Sequence, residues 1–249
     1  MNVKPNFLNG KNGQYRDLYP NSGYDPTEYE RACNTVDIAI CRIFESELQV
    51  LLIKRKYEPF ADKWALPGGF VDMIKSEDIE TAAYRELKEE TGVTGIPVRE
   101  LGTFGDVNRD PRWRIISTVY YALVSNVVID KTTIEASDDA KEYKWFNLRD
   151  LPTLAFDHNM ILNRLVQKIE AEVIYSPLPM ELISRFFTWA QLQNAYEILL
   201  NRKLIASNFR RDIMKDYIII ETHLKLKLEG QKGRPGTLCS FDGIIKKYK

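Results

Sequence analysis

The sequence predicts an α+β protein in two parts: a domain of mixed strands and helices, then a C-terminal winged helix-turn-helix. Three observations predict it. Two β-rich runs, 35–44 and 48–56, lead through a Pro/Gly loop into a helix with an acidic end. After residue 188, two short helical segments precede two strand-like runs joined by a basic turn. Between the parts, "YSPLPMEL" (175–182) carries two prolines, which break regular structure by fixing φ and removing a donor.

The elements follow in order. Residues 1–30 are rich in Asn, Gly, Pro and Tyr and read as an arm, with a short helix expected at "PTEYERA". "TVDIAICRIF" and "LQVLLIKRK" are strands, and the short "ESE" between them suits a hairpin. "DKWALPGGFVD" (62–72) is a loop. A helix is expected over 77–91, stopped by Gly92 as a C-cap. "VRELGTFGDV" and "RIISTVYYALVS" are strands around the polar loop "NRDPRW" (108–113), and "EYKWFNL" is a further short strand. "HNMILNRLVQKIEAEV" (158–173) is an amphipathic helix. The domain boundaries expected are therefore 1–30, 31–175 and 176–249.

In the second part, "TWAQLQNAYEILLN" (188–201) opens on Thr188 and Gln191, the spacing of a capping box. Trp189, Leu192, Tyr196 and Leu199 form its packing stripe. "SNFRRDIMKD" (207–216) is the next helix, with Ser207 as its N-cap and Phe209, Ile213 and Met214 as its core face. "YIIIETHLKLKL" and "TLCSF" are strands around the basic turn "EGQKGRPG" (229–236).

Composition bounds the function. Of 249 residues, 44% are hydrophobic and 28% charged, a soluble globular profile. No apolar run reaches the ~18 residues of a membrane span, and the start has no apolar stretch of a signal peptide. Three widely spaced cysteines argue against a disulfide framework or a cysteine zinc site, and the cytoplasm is the expected compartment. Net charge is zero but divided. Residues 177–249 hold 13 Lys/Arg and 7 Asp/Glu, or +6, leaving −6 for the rest. A basic C-terminal part suits a polyanion partner.

The acidic helix carries the first chemistry. Ile79, Ala82 and Ala83 lie on one face, and that face continues through Glu86, Leu87 and Glu90. Buried carboxylates cost several kcal/mol unless paired or bound to a cation. The face therefore ends in a wet cleft or a metal rim. Glu86, Glu89 and Glu90 offer oxygens to Mg²⁺, or Mn²⁺ in its place. Arg85, four residues before Glu89, can orient that carboxylate, and Glu77 can brace the loop or Arg85. A general base is open between a helix glutamate and the later acids Glu135, Asp138, Asp139 and Glu142.

The second chemistry is basic. In a winged helix-turn-helix, Ser207, Asn208, Arg210 and Arg211 open the recognition helix, facing base edges and phosphates. Lys232 and Arg234 lie on the wing, placed for phosphates or the minor groove. An accessory dimerisation domain is the alternative. His158 and His223, one in each part, receive no role from the sequence.

Gly68-Gly69, Glu77, Arg85-Glu86-Leu87-x-Glu89-Glu90-x-Gly92 resembles the Nudix box, whose superfamily cleaves nucleoside diphosphates linked to another group, and the resemblance implies an α/β/α sandwich for the first part. Seven residues separate Gly69 from Glu77, two more than the usual pattern. With the winged part, the chain resembles the NrtR-type regulators of NAD metabolism. The resemblance rests on "GYDP", "TVD", "VLLIKR", "PF", "KWALPGGFVD", "NRDPR", "LAFDH", "SNFRRDI" and "GRPGTLC". It implies a homodimer that leaves double-stranded operator DNA when the Nudix domain binds ADP-ribose or a related metabolite. Gly68, Gly69, Arg109 and Arg112 would then contact the effector. A pentose is the other effector the resemblance allows. With all charged box positions present, Glu89 and Arg85 would serve Mg²⁺-dependent hydrolysis of ADP-ribose to AMP and ribose 5-phosphate.

Overall fold

The computed structural model describes residues 30–72, 77–129, 140–173, 175–227 and 234–244. The arm before residue 30, the segment 73–76 of the long loop, Glu135, Asp138, Asp139 and Lys232 lie outside these residues. Glu30–Ala32, the described end of "PTEYERA", are not helical.

The first part is built on a seven-stranded sheet. Strand β1 (Cys33–Phe44) runs parallel to β6 (Ile115–Leu123). Both strands are buried over most of their length, as parallel pairs covered on both faces require. β1 also pairs antiparallel with β2 (Glu47–Arg55) through a turn in which Glu45 and Ser46 both have positive φ, the backbone of a tight hairpin. Two short strands, β3 (Trp64–Ala65) and β4 (Gly68–Phe70), lie within the stretch read as loop. β3 pairs with β2, and β4 pairs with the start of β1. β5 (Arg99–Phe104) extends the sheet beyond β6, and β7 (Ala140–Asn147) pairs with β2.

Helix α1 (Ile79–Thr91) covers one face of this sheet. Asp78 caps it by accepting the Thr81 amide at 2.7 Å, so the helix begins at Ile79, two residues later than the expected start at 77. Gly92 closes it at φ 70°, the left-handed position glycine fills without strain. A one-turn helix α2 (Asn126–Ile129) follows β6. On the other face lies α3 (His158–Glu172), which buries Ile161, Leu162, Leu165 and Ile169.

The second part begins with the short α4 (Leu178–Glu181) and strand β8 (Phe186–Thr188). α5 (Trp189–Leu200) opens on the expected capping box, with both Thr188 and Gln191 bonds formed. Leu192, Tyr196 and Leu199 are buried, as the stripe requires. α6 (Ala206–Asp216) follows, then β9 (Tyr217–Leu226) and β10 (Gly236–Ile244) in a three-stranded sheet ordered β8-β10-β9.

Two expectations here are corrected. The N-cap of α6 is Ile205, because its carbonyl accepts the first helical bond from the Phe209 amide; Ser207 sits inside the first turn. Met214 is 50% exposed, since only Phe209 and Ile213, four residues apart, point at the small core. Among the described residues, no helix is long and apolar enough to cross a membrane.

Candidate functional site

The helix face read from the sequence is present and buried from Ala82 onward, but its first residue, Ile79, lies in the opening turn and is 39% exposed. Ala82, Ala83, Glu86, Leu87 and Glu90 are all buried, with Glu86 and Glu90 each only 7% exposed. Arg85 makes this tolerable for Glu86. Its Nε and Nη2 donate to the two oxygens of Glu77 at 2.8 and 2.9 Å. Nη1 donates to Glu86 at 2.7 Å and Glu89 at 2.8 Å, and Nη2 also reaches the Phe70 carbonyl at 2.9 Å. Glu77 in turn accepts the Asp72 amide at 2.9 Å. So Glu77 serves both the loop and Arg85, which holds the Glu77 carboxyl below the ordinary carboxylate range. Burial pushes the Glu86 carboxyl above its ordinary value, although Arg85 opposes this.

The two glycines ahead of the helix are there for space. A Cβ on Gly69 would lie 2.3 Å from Glu86 Oε1, and one on Gly68 would lie 2.2 Å from the Val36 carbonyl oxygen. Both spacings are below any real contact. The Gly-Gly strand therefore lets the backbone press onto β1 and onto the Glu86 carboxylate.

Beside this wall opens a cleft of about 230 Å³. Glu90, Gly68 and Gly69 line it together with Arg55, Arg109 and Arg112. Arg109 is 4% exposed in its side chain and needs compensation. Asp157 supplies it through two bonds, at 3.0 and 2.9 Å, and Asp37 lies 3.5 Å away. Asp37 also accepts from Ser117 Oγ at 2.5 Å. His158 accepts the Leu66 amide on Nδ1 at 2.9 Å, so its proton sits on Nε2, which faces Asp37 at 3.6 Å. Burial holds the His158 pKa below its ordinary 6.5, keeping the ring neutral.

Arg112 is fixed by Asp110 at 3.0 and 2.7 Å, and its guanidinium lies over Phe70 at 5.5 Å and Phe156 at 5.6 Å. Arg55 lies over Phe156 at 4.9 Å. The cleft therefore combines three guanidinium groups with aromatic faces and an acidic wall. Guanidinium groups match phosphate geometry, and aromatic faces suit flat rings.

Sequence reasoning missed much of this floor. Asp37, Arg55, Asp157 and His158 carried no assigned role, although they fall in "TVD", "VLLIKR" and "LAFDH". Those segments were the available signal, but spacing alone does not join residues so far apart. Glu142, one of the candidate bases, instead lies on β7 at 3.7 Å from Lys54.

The donor chemistry of the wall fits a hard divalent cation. Glu86 and Glu90 are buried carboxylates one turn apart, and the cradle at Gly69 keeps Glu86 clear of any Cβ. Mg²⁺ is commonly held by one or two carboxylates, with phosphate and water completing its shell. Glu89 stands apart from this pair, more than half exposed and bonded to Arg85. Among the described residues, no three His, Cys, Asp or Glu side chains are placed to hold a metal on their own.

On the second part, Ser207, Asn208, Arg210 and Arg211 are all exposed on the first turns of α6, and Arg234 is exposed at the start of β10's approach. Arg210 is turned back toward its own sheet. It pairs with Glu221 of β9 and lies over the Trp189 ring at 4.9 Å. Trp189 Nε1 donates to the same carboxylate at 2.8 Å. Among the described residues, Arg211 pairs with its neighbour Asp212, at 3.3 Å.

The chain matches the NUDIX domain family over residues 34–168 and the NrtR DNA-binding winged helix domain over residues 179–241. It is 33% identical over 220 residues to the ADPR responsive transcriptional repressor of Acinetobacter baylyi, covering 88% of this chain and 85% of that one. The chain belongs to the NrtR family. Its fold matches Shewanella oneidensis NrtR complexed with a 27mer DNA, at TM-score 0.70 and 31% identity, over 84% of this chain and 93% of that one. The NUDIX domain of that NrtR, complexed with ADP ribose, matches at TM-score 0.53 and 30% identity, over 61% of this chain and 97% of that one. The Nudix part is also 43% identical over 125 residues to an ADP-ribose pyrophosphatase of Methanocaldococcus jannaschii, covering 50% of this chain and 70% of that one.

Proposed function

We propose that this NrtR-family chain is a transcriptional repressor of NAD-related genes that grips operator DNA and releases it when ADP-ribose fills the cleft. The observation that carries the reading is the cleft itself. Arg55, Arg109 and Arg112 converge there beside aromatic rings and the buried carboxylates of Asp37, Glu90 and Asp110, a combination suited to a diphosphate joined to a flat base. The winged part supplies the exposed cations of Arg211 and Arg234 for phosphate contacts. Residues 31–175 form the effector domain and 176–249 the DNA-binding domain in this reading. The protein works as a homodimer in the cytoplasm, matching the two-fold symmetry of operators.

The test is an electrophoretic shift on duplex DNA from upstream of NAD-salvage genes, with and without ADP-ribose. A retarded band that ADP-ribose dissolves supports the reading. No retardation at any salt concentration removes it. If a free pentose dissolves the band and ADP-ribose does not, the effector assignment passes to the pentose.

The intact acidic wall favours a second activity, hydrolysis of ADP-ribose. Glu86 and Glu90 would hold a divalent cation, which neutralises charge on the phosphate oxygens when bound. Arg85 fixes Glu86 and Glu89, while Arg109 and Arg112 hold the diphosphate in place. AMP release in the presence of Mg²⁺, compared between wild type and Glu89→Gln, tests it. Equal inertness of the two proteins rejects the enzyme reading and leaves the repressor reading standing.

A further inference from the structure

One apolar core runs through both parts of the molecule. Leu162, Leu165 and Ile169 of α3 belong to the same buried cluster as Leu192 and Leu199 of α5 and Phe209 of α6. Helix α3 thus spans the distance from the cleft to the winged part. At its N-terminus, Asp157 holds the cleft arginine Arg109, and His158 holds the Leu66 amide. Anything that repositions Arg109 acts on the seat of this helix.

At the far end of α3, Arg149 is one of two guanidinium groups among the described residues that join the parts; the other, Arg99 of β5, pairs with Glu181 of α4 at 2.6 Å and does not bond α3. Arg149 Nη1 donates to Glu170 of α3 at 2.8 Å, and Nη2 donates to the Leu199 carbonyl of α5 at 2.9 Å. That carbonyl lies in the last turn of α5, where intrahelical partners run out. The cation also favours the negative end of the helix dipole. A guanidinium is a planar fork, so its two acceptors are held at a fixed mutual distance and angle. α5 passes this constraint on to α6. The Leu204 amide donates to Glu197 at 3.0 Å, and Gln193 Nε2 donates to the Leu204 carbonyl at 2.9 Å, fixing the turn between the helices. Tyr196 packs on Phe209 of α6 with ring centroids 5.1 Å apart.

We propose that Arg149 is the joint through which occupancy of the cleft reaches the recognition helix. The inference rests on the ADP-ribose-responsive reading above and adds the residue that couples the two sites. Helix shifts of about 1–2 Å are a common switching motion. With Glu170 and Leu199 on one fork, a shift of α3 drags the end of α5 and turns α6 on the DNA. Arg149 touches neither ligand, so it is a positioning residue for both.

The experiment uses the full chain and measures a thermodynamic cycle. Operator affinity is read by fluorescence anisotropy with and without ADP-ribose, and ADP-ribose affinity by calorimetry with and without operator. In wild type, ADP-ribose is expected to weaken operator binding by about 5–150-fold, and operator to weaken ADP-ribose binding by the same factor, because linkage is reciprocal. In Arg149→Ala both factors are expected to fall together toward one, while each ligand alone still binds. Arg149→Lys should recover only part of the coupling, since a point charge cannot hold two acceptors in a fork. Glu170→Gln should give an intermediate factor, and it decides the matter if Arg149→Ala fails to fold. Wild-type coupling in both Arg149→Ala and Glu170→Gln overturns the proposal, even if their Tm falls, because Arg149 is then only a brace. No effect of ADP-ribose on operator binding in wild type removes the regulatory reading itself, and the joint with it.

Discussion

Helices α1 and α6 both carry clusters of charged side chains, yet they hold them in opposite ways. On α1, Arg85 is locked by three carboxylates and a carbonyl, and two glutamates are buried beneath it. On α6, Arg210 and Arg211 are exposed, each with one acidic partner among the described residues. The first arrangement is preorganised: its charges are fixed before a ligand arrives, and little is lost in ordering them. The second is adaptable: in the reading proposed above, its cations would exchange a weak surface pair for a phosphate. Surface pairs contribute only about 0–1 kcal/mol, so the exchange costs little. A small-molecule site needs the first arrangement, and a helix that must both grip and release DNA needs the second.

The difference predicts a ranking of mutational effects. Gly69→Ala should be the most damaging change, because the new Cβ would overlap the Glu86 carboxylate. Overpacking costs roughly 1–3 kcal/mol, and the displaced carboxylate adds to it. ADP-ribose affinity by calorimetry is expected to fall at least about tenfold, the equivalent of 1.4 kcal/mol. An unchanged affinity would show that Glu86 is not held in place by the backbone.

Arg85→Ala comes next. Removing one partner of a buried pair costs about 3–5 kcal/mol. Arg85 keeps some solvent contact, so we expect roughly 2–3 kcal/mol, read as a lower urea midpoint. Arg85→Lys should recover less than half, because one ammonium cannot replace the fork. Full recovery by lysine would mean that charge, and not geometry, holds the wall.

On α6 the effects should be smaller and should depend on salt. Arg211→Ala or Arg234→Ala is expected to weaken DNA binding across all sequences and to lower the salt slope by about one. Glu221→Ala should act in the opposite direction. It releases Arg210 and removes a negative charge from the DNA-facing part, so affinity should rise modestly. A fall would show that Arg210 binds DNA only in the pose that Glu221 imposes.

The smallest effect is on acid stability. His158 is neutral in the fold, with its pKa below 6.5, whereas in the unfolded chain it titrates near the ordinary value. The unfolded state therefore binds the extra proton first as pH falls. Stability should drop from about pH 6.5 downward until the folded value is reached, and be fully present above that window. Thermal melts across this range should show a shallower dependence in His158→Gln. An equal slope would place the titration elsewhere.

What could be read from the sequence follows the same divide. The α1 site is local: its residues repeat at helical spacing within one element, so the buried glutamates, the Arg85–Glu89 pair and the Gly92 cap were all predictable. The Thr188 capping box was predictable for the same reason. The cleft floor is not local. Asp37 meets Ser117 eighty positions away, and Arg109 meets Asp157 forty-eight positions away, and no periodicity encodes such contacts. Strands of two or three residues, such as β3, β4 and β8, are too short to show alternation. Ser207 misled because its chemistry suits a cap, while the burial of Phe209 and Ile213 set where α6 begins. Arg210 was legible as a cation on the helix but not as one paired with β9, since that contact depends on the packing of the wing sheet.

The central claim is that filling the cleft loosens the grip of the winged domain. The most direct measurement is the anisotropy of a fluorescent operator duplex bound to the full chain during an ADP-ribose titration, repeated with Arg112→Ala. The account predicts a fall to the free-DNA value in wild type, and a curve shifted to higher ADP-ribose concentration in the variant. If calorimetry shows the cleft saturated with ADP-ribose while the anisotropy stays at its bound value, the account is wrong.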